Sequence, residues 1–206
     1  PQGQWQIVGQ GAKQQFNFER LDYQGLAGHL QADGQLSWQQ GLVWHADVDF
    51  DGLQTHYWLP NWPARLTGNT KSSGIWRKND HQLDFMQTSL QGDLKALPLQ
   101  ASGDLHLELQ PTGQFPHFQA HQVSVDWGKN HLGIEGGLSQ TWDVTVDNQF
   151  NDLATLDTRL KGQLSGVVVL QGAEKAPALT LNLSGEQLQV QQTGASSLSV
   201  SGTLPE

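Results

Sequence analysis

The sequence predicts an all-β protein built from consecutive antiparallel strands. Apolar and polar residues alternate in short runs along most of the 206 residues, and a period of two places the apolar side chains of a strand on one face. Turn-forming residues, above all the 23 glycines, punctuate the runs. Only residues 152–160 show a helix-like spacing, and we expect a loop or a single helical turn there. Strands separated by turns are typical of an antiparallel meander.

Composition argues against several classes of function. The net charge is −9 with only 11 Lys and Arg, whereas a nucleic-acid groove needs a basic surface. The chain has no cysteine, so disulfides and thiolate chemistry are excluded. No apolar run approaches the roughly 20 residues of a membrane-spanning helix. Because no signal peptide is visible and the chain starts at Pro1, we expect a segment of a longer protein, with any targeting signal outside it.

The first part of the chain combines short strands with one loop. Candidate strands are residues 5–8, 16–18, 26–30, 36–38 and 44–50. Residues 57–63 contain two prolines and three aromatic residues, so they cannot continue a central strand and are predicted to form a loop. The run Lys-Ser-Ser-Gly at residues 71–74 is predicted to form a turn.

Residues 90–109 show the alternation most clearly. Gly-Asp-Leu occurs at residues 92–94 and again at 103–105, which predicts a repeated unit of a glycine turn followed by a strand. After the second glycine, three leucines occupy one face, and Asp104, His106 and Glu108 form the opposite, solvated face. The strongest one-sided residues of the whole chain are Leu105, Leu107, Leu109, Val123, Val125, Trp127, Trp142, Val144, Val146, Leu179, Leu181, Leu183, Leu188, Val190, Leu198 and Val200.

Alternation does not decide how the apolar faces are covered. Two sheets could face each other as a sandwich, one sheet could curl into a barrel, or one long sheet could fold lengthwise around an apolar groove. On alternation alone, a closed sandwich core is the favoured alternative. We expect one continuous segment over residues 1–206, and the pattern also allows two repeat modules, about 1–112 and 113–206.

Motifs for catalysis or metal binding are weak. Residues 47–52 resemble the start of a calcium loop, but Trp58 stands where the motif requires a bidentate Glu. His117 and His121 have a zinc-like spacing, but Phe118 replaces the catalytic Glu, and two surface histidines are the simpler interpretation. Burial explains tryptophans such as Trp38 and Trp44 more simply than sugar binding does. We therefore expect neither catalysis nor a metal or cofactor.

Two groups of residues resemble a known family. The strand at residues 44–50, followed by Pro-Asn-Trp-Pro at 60–63 and Leu-Thr-Gly at 66–68, is similar to the "strand, P-x-W-P, L-x-G" segment of TamB proteins. Residues 160–185 resemble the recurrent L-x-G units of the same family, which is AsmA-like. TamB proteins are the large periplasmic subunits of the translocation and assembly module.

The resemblance implies a fold and a function. It implies an elongated antiparallel sheet folded into a U-shaped groove, a β-taco, with an apolar interior that conducts phospholipids between the inner and outer membranes. The sixteen one-sided residues named above would then line the groove and contact acyl chains. An alternative role in the family is assembly of outer-membrane proteins and autotransporters with the outer-membrane partner TamA, through regions outside this segment. The expected location is periplasmic, within a protein whose inner-membrane anchor is absent here.

Overall fold

The fold is all-β. The computed structural model describes residues 2–78, 80–109, 116–190 and 193–204, and in these ranges the chain forms thirteen strands and two short 3₁₀ helices. The order of strands in the sheet is their order along the chain, and each pair of known register is antiparallel. The predicted antiparallel meander is therefore confirmed. No helix within these ranges has the length and hydrophobicity needed to span a membrane.

Contacts divide the chain into two units, Pro1–Phe118 and Gln119–Glu206. The strands of the first unit are β1 (Gly3–Ala12), β2 (Gln15–Gly25), β3 (Gly28–Ser37), β4 (Leu42–Gln54), β5 (Ala64–Arg77), β6 (Asp80–Leu94) and β7 (Leu97–Leu109). A 3₁₀ helix, Thr55–Tyr57, opens the connection from β4 to β5, so the predicted loop at residues 57–63 is confirmed. The predicted module boundary at residues 112–113 lies outside the described residues.

The strands of the second unit are β8 (His117–Trp127, which begins at the end of the first unit), β9 (Asn130–Leu138), β10 (Thr141–Phe150), β11 (Leu160–Ala173), β12 (Ala176–Val190) and β13 (Thr193–Leu204). A second 3₁₀ helix, Leu153–Thr155, follows β10, which confirms the single turn predicted within residues 152–160. Its start is capped by the Asp152 carboxylate, which accepts a hydrogen bond from the Ala154 N–H at 3.1 Å.

The sheet is not closed. Strands β1 and β13 are the two ends of the strand order, and all strands of the described residues belong to this one sheet. A sandwich needs two sheets packed face to face. The closed sandwich favoured by alternation alone is therefore not the fold of the described residues.

The predicted turn at residues 71–74 is wrong, because these residues lie in the middle of β5. Small residues occur there to accommodate Trp44 of the neighbouring strand. A Cβ added to Gly74 would lie 2.3 Å from the Trp44 ring, and the indole N–H donates a hydrogen bond to the Ser72 hydroxyl at 3.1 Å. The serine and glycine thus make room for a large side chain and do not mark a turn.

Two further strand boundaries differ from the prediction. Gly92 and Gly103 lie inside β6 and β7, so neither starts a turn, and the hairpin turn is formed by Lys95 and Ala96 with φ of 51° and 62°. Gly103 instead adjoins a β-bulge, where the Asp104 carboxylate accepts a hydrogen bond from the Gln87 N–H at 2.6 Å. The predicted strands 26–30 and 36–38 are also partly wrong, since residues 26–27 form a turn and β3 ends before residue 38. Trp38, predicted to be buried, is 45% exposed because it lies outside the strand.

Candidate functional site

The candidate site of the first unit is one face of its sheet. Directly paired residues of an antiparallel sheet lie on the same face, so the register can be followed from strand to strand. One row across β1 to β7 reads Trp5, Tyr23, Leu30, Phe50, Gly68, Leu90 and Ala101. A second row reads Gly11, Phe16, Leu36, Trp44, Gly74, Leu83 and Leu107. Neither row contains a charged residue, and we call this surface the apolar face of unit 1.

The second unit has an equivalent surface. One row across β9 to β13 reads Gly136, Val144, Leu170, Leu179 and Leu204. The next row reads Ile134, Val146, Val168, Leu181 and Gly202. These rows also lack charged residues, and we call this surface the apolar face of unit 2.

The predicted lining residues fall on these two faces wherever the register is known. On β7, Leu105 lies opposite Phe85, Leu107 opposite Leu83, and Leu109 opposite His81. The register joins the predicted residues of β10, β12 and β13 into one face, which contains Trp142, Val144, Val146, Leu179, Leu181, Leu183, Leu188, Val190, Leu198 and Val200. On β8, Val123 and Val125 are half-buried, and Trp127 is buried at 8% exposure. Their contact with lipid stays a prediction.

The sequence did not single out several residues of the same faces. Val168 and Leu170 lie within the continuous apolar run of β11, where alternation is lost, and only pairing with β10 and β12 assigns their face. Ile134 lies in a glycine-rich strand. The sequence did contain a signal for the face of β11. If glycine is counted with the apolar residues, every second residue from 164 to 172 is apolar: Leu164, Gly166, Val168, Leu170 and Gly172.

The apolar surface is only partly covered, and most side chains of the rows are half-buried. Among the described residues of the first unit, the fully buried hydrophobic side chains are Tyr23 and Ala27. The second unit buries more, including Val144 and Trp127, yet Val190 is 59% exposed and Leu198 is 45% exposed. A core covered by a second layer would bury most of such side chains. The two faces therefore have the character of a binding surface.

Polar groups on the apolar faces are mostly paired with one another. The hydroxyls of Thr70 and Thr88 lie 2.8 Å apart across β5 and β6. Asn148 is the exception, because its amide N–H donates to the Gly166 carbonyl at 3.0 Å while its Oδ1 atom is buried without a partner among the described atoms. The sequence predicts nothing special for Asn148, which is buried because it alternates with Val146 on β10.

The opposite face carries histidine–carboxylate pairs. The His106 imidazole lies 2.6 Å from Asp84 and 3.4 Å from Glu108. Partial burial favours the neutral imidazole, but the two carboxylates outweigh this effect and raise the pKa of His106 above its usual value. On the same principle, the Gln122 N–H and His121 hold the pKa of Glu135 below its usual range. The predicted solvated role of His106 and Glu108 agrees with these half-exposed ion pairs.

Because the pKa of His106 is raised in the folded protein, its protonation stabilises the fold. This contribution is fully present below the pKa of an unfolded histidine, about 6.5, and is lost as the pH rises through the higher folded value. We expect the free energy of unfolding to fall by roughly 0.5 kcal/mol through this window, since the pair is partly solvated. Denaturant titrations at a series of pH values should show the fall in the wild type and a smaller one in His106→Gln. If His45→Gln, which changes an exposed histidine of β4, has the same effect, the assignment to His106 is wrong.

The polar face offers no binding chemistry of comparable extent. A depression of about 470 Å³ opens there and is lined mainly by polar residues such as His29, Asp49 and Asn69. Within the described part of the chain, no three His, Asp or Glu side chains are grouped so that they could hold a metal ion. The exposed aspartates of residues 47–51 lie along one side of β4 as a solvated strand face.

The chain is thus one open antiparallel sheet whose two units each present an apolar face. Comparison with known proteins gives the family. The model of the family described as TamB, N-terminal domain, matches residues 1–205, and the chain belongs to this family. The translocation and assembly module subunit TamB of Haemophilus influenzae is 25% identical over 202 residues. That match covers 98% of this chain and 15% of the length of the relative, and no solved structure matches the chain.

Proposed function

We propose that this segment conducts phospholipids by contact between their acyl chains and the two apolar faces. The observation that carries the proposal is the set of apolar rows, free of charged residues, whose side chains are only partly buried in the described structure. In the arrangement that the TamB family implies, the sheet curls lengthwise around these faces as a U-shaped groove in the periplasm. Bulges and mid-strand glycines support such a curl, since both bend strands.

The energy of acyl-chain hydration explains why such a face suffices. Exposing a methylene to water costs about 0.8 kcal/mol, so a chain of about fifteen methylenes costs on the order of 12 kcal/mol. A continuous apolar surface removes most of this barrier without catalysis. The rows of the first unit cross seven strands, which at a spacing of about 4.8 Å extend over about 29 Å. Similar side chains along the rows leave no single strong site at which a lipid would be trapped.

Native mass spectrometry of the purified segment tests this proposal. We expect phospholipid adducts on the protein as isolated from a bacterial host, because half-exposed leucine and aromatic side chains would retain acyl chains during purification. After delipidation, added phospholipid should restore the adducts. A segment that never carries lipid, even with phospholipid in excess, would contradict the proposal.

The alternative is a scaffold for outer-membrane β-barrel and autotransporter assembly with a TamA-like partner. The name of the Haemophilus influenzae relative, a translocation and assembly module subunit, motivates it. The same apolar face, or the edge strand β13, could receive an amphipathic client strand. A competition experiment with an amphipathic β-peptide separates the two proposals. If the segment is a scaffold, the peptide should displace bound lipid and form crosslinks with the segment. If the segment only conducts lipid, the peptide need not bind.

A further inference from the structure

The connection between β4 and β5 exposes a cluster of large apolar side chains outside the strands. We call residues 55–63 the aromatic loop. Its side chains are exposed to 39% at Tyr57, 53% at Trp58, 57% at Leu59 and 50% at Trp62. Single exposed apolar residues are ordinary, but four within six residues form a patch that indicates a binding partner.

The aromatic loop is held in one conformation by its own hydrogen bonds. The Thr55 hydroxyl donates to the Trp62 carbonyl at 2.6 Å and accepts from the Ala64 N–H at 2.8 Å. The Leu59 N–H donates to the Thr55 carbonyl at 2.7 Å, and the Trp62 N–H donates to the Leu59 carbonyl at 2.9 Å. These hydrogen bonds order the backbone that carries the exposed side chains. A surface that is ordered before binding loses less conformational entropy when it binds.

The chemistry around the aromatic loop is amphipathic and basic. Residues 52–79 contain no Asp or Glu, in a chain with 20 of them. The Lys95 ammonium nitrogen lies 3.9 Å from the centre of the Trp62 ring, and the Lys95 N–H donates to the Pro63 carbonyl at 2.8 Å. Across the strand pair, Asp93 of β6 lies opposite Arg65 of β5. Exposed Trp and Tyr side chains next to a Lys are typical of segments that anchor proteins at the headgroup level of a bilayer.

We propose that the aromatic loop binds the surface of a phospholipid bilayer. Trp58 and Leu59 enter the boundary between headgroups and acyl chains, and Lys95 lies among the phosphates. This docking surface uses residues other than those of the apolar faces, for which the proposed ligands are single lipid molecules. If the proposed function holds, this contact would keep the segment beside a membrane from which lipid enters or leaves the apolar faces.

Vesicle co-sedimentation tests the proposal with the full 206-residue chain. Vesicles of phosphatidylethanolamine and phosphatidylglycerol serve as the probe, and the partition coefficient is measured for the wild type and for Trp58→Ala/Leu59→Ala. We expect the loop variant to bind about tenfold more weakly or worse. The matched control is Trp38→Ala/Leu156→Ala, which removes the same two residue types at 45% and 43% exposure from the β3–β4 and β10–β11 connections, outside the apolar faces. The control should bind like the wild type, and equal loss in both variants would overturn the proposal.

A fluorescence measurement keeps the test independent of folding defects. The chain has no cysteine, so one cysteine can be introduced and labelled with an environment-sensitive dye. A dye at Asn61→Cys in the aromatic loop should shift to the blue when vesicles are added, while a dye at Gln140→Cys in the turn before β10 should not. If the Asn61 dye responds to protein concentration and not to vesicles, the loop binds a second copy of the chain and the bilayer proposal is wrong.

Discussion

Leu181→Asp is expected to lower the affinity of the segment for phospholipid by about 100-fold. Leu181 lies in the middle of the apolar face of unit 2, opposite Val168 and Gly202. Once an acyl chain covers it, a carboxylate there loses water and gains no partner, at a cost of about 3 kcal/mol. Each 1.4 kcal/mol is a factor of ten in affinity. Binding of a fluorescent phospholipid, measured by titration, gives the ratio directly.

The lipid-free fold should tolerate this substitution. Leu181 is only half-buried, and a Cβ added to the neighbouring Gly202 would meet no atom within 4 Å, so the carboxylate can reach water. Thr180→Asp is the matched control, because it places the same charge one residue earlier on the exposed opposite side of β12. We expect the control to bind phospholipid like the wild type. If both variants lose affinity equally, the apolar face does not bind acyl chains.

Gly136→Ala is expected to destabilise the fold by about 3 kcal/mol or more. Gly136 has φ of +91° within β9, a conformation that costs a residue with a Cβ on the order of 1–3 kcal/mol. Its Cβ would also lie 1.9 Å from the Asp143 carbonyl oxygen, so the backbone of β10 would have to move. The free energy of unfolding from denaturant titration should fall accordingly.

Gly202→Ala provides the control for this effect. Gly202 is a mid-strand glycine of the same unit, but its added Cβ would meet nothing within 4 Å. We expect its free energy of unfolding to change by about 0.5 kcal/mol or less. If both variants lose the same free energy of unfolding, strand propensity dominates the effect. The close approach of β10 to Gly136 would then not explain why glycines recur in these strands.

Alternation predicted several strands and the faces of their residues. The leucines of β7 and the valines of β10 were assigned correctly to one side because a period of two depends only on local geometry. The family resemblance, in contrast, was needed to choose an open sheet, since a closed sandwich has the same alternation. Whether a sheet edge or face stays open depends on the whole chain, so the alternation within a single strand does not indicate it.

The glycines show where sequence reasoning failed. Gly74 and Gly103 were interpreted as turns, but each lies inside a strand. Gly74 is small because the Trp44 ring of the next strand covers it, and Gly103 lies beside a bulge. Both causes are contacts with a neighbouring strand, which the pattern within one strand does not reveal. The actual turn at Lys95 and Ala96 has positive φ at two residues that rarely adopt it, so composition gave no signal.

A photo-crosslinking scan along β12 tests the central claim most directly. A photoreactive amino acid is placed in turn at residues 179 to 184 of the segment in the presence of phospholipid. We expect labelling with a period of two: Leu179, Leu181 and Leu183, which share the apolar face, should label lipid, and Thr180, Asn182 and Ser184 should not. Equal labelling at all six positions, or labelling at the polar positions alone, would contradict the claim that the apolar face carries lipid.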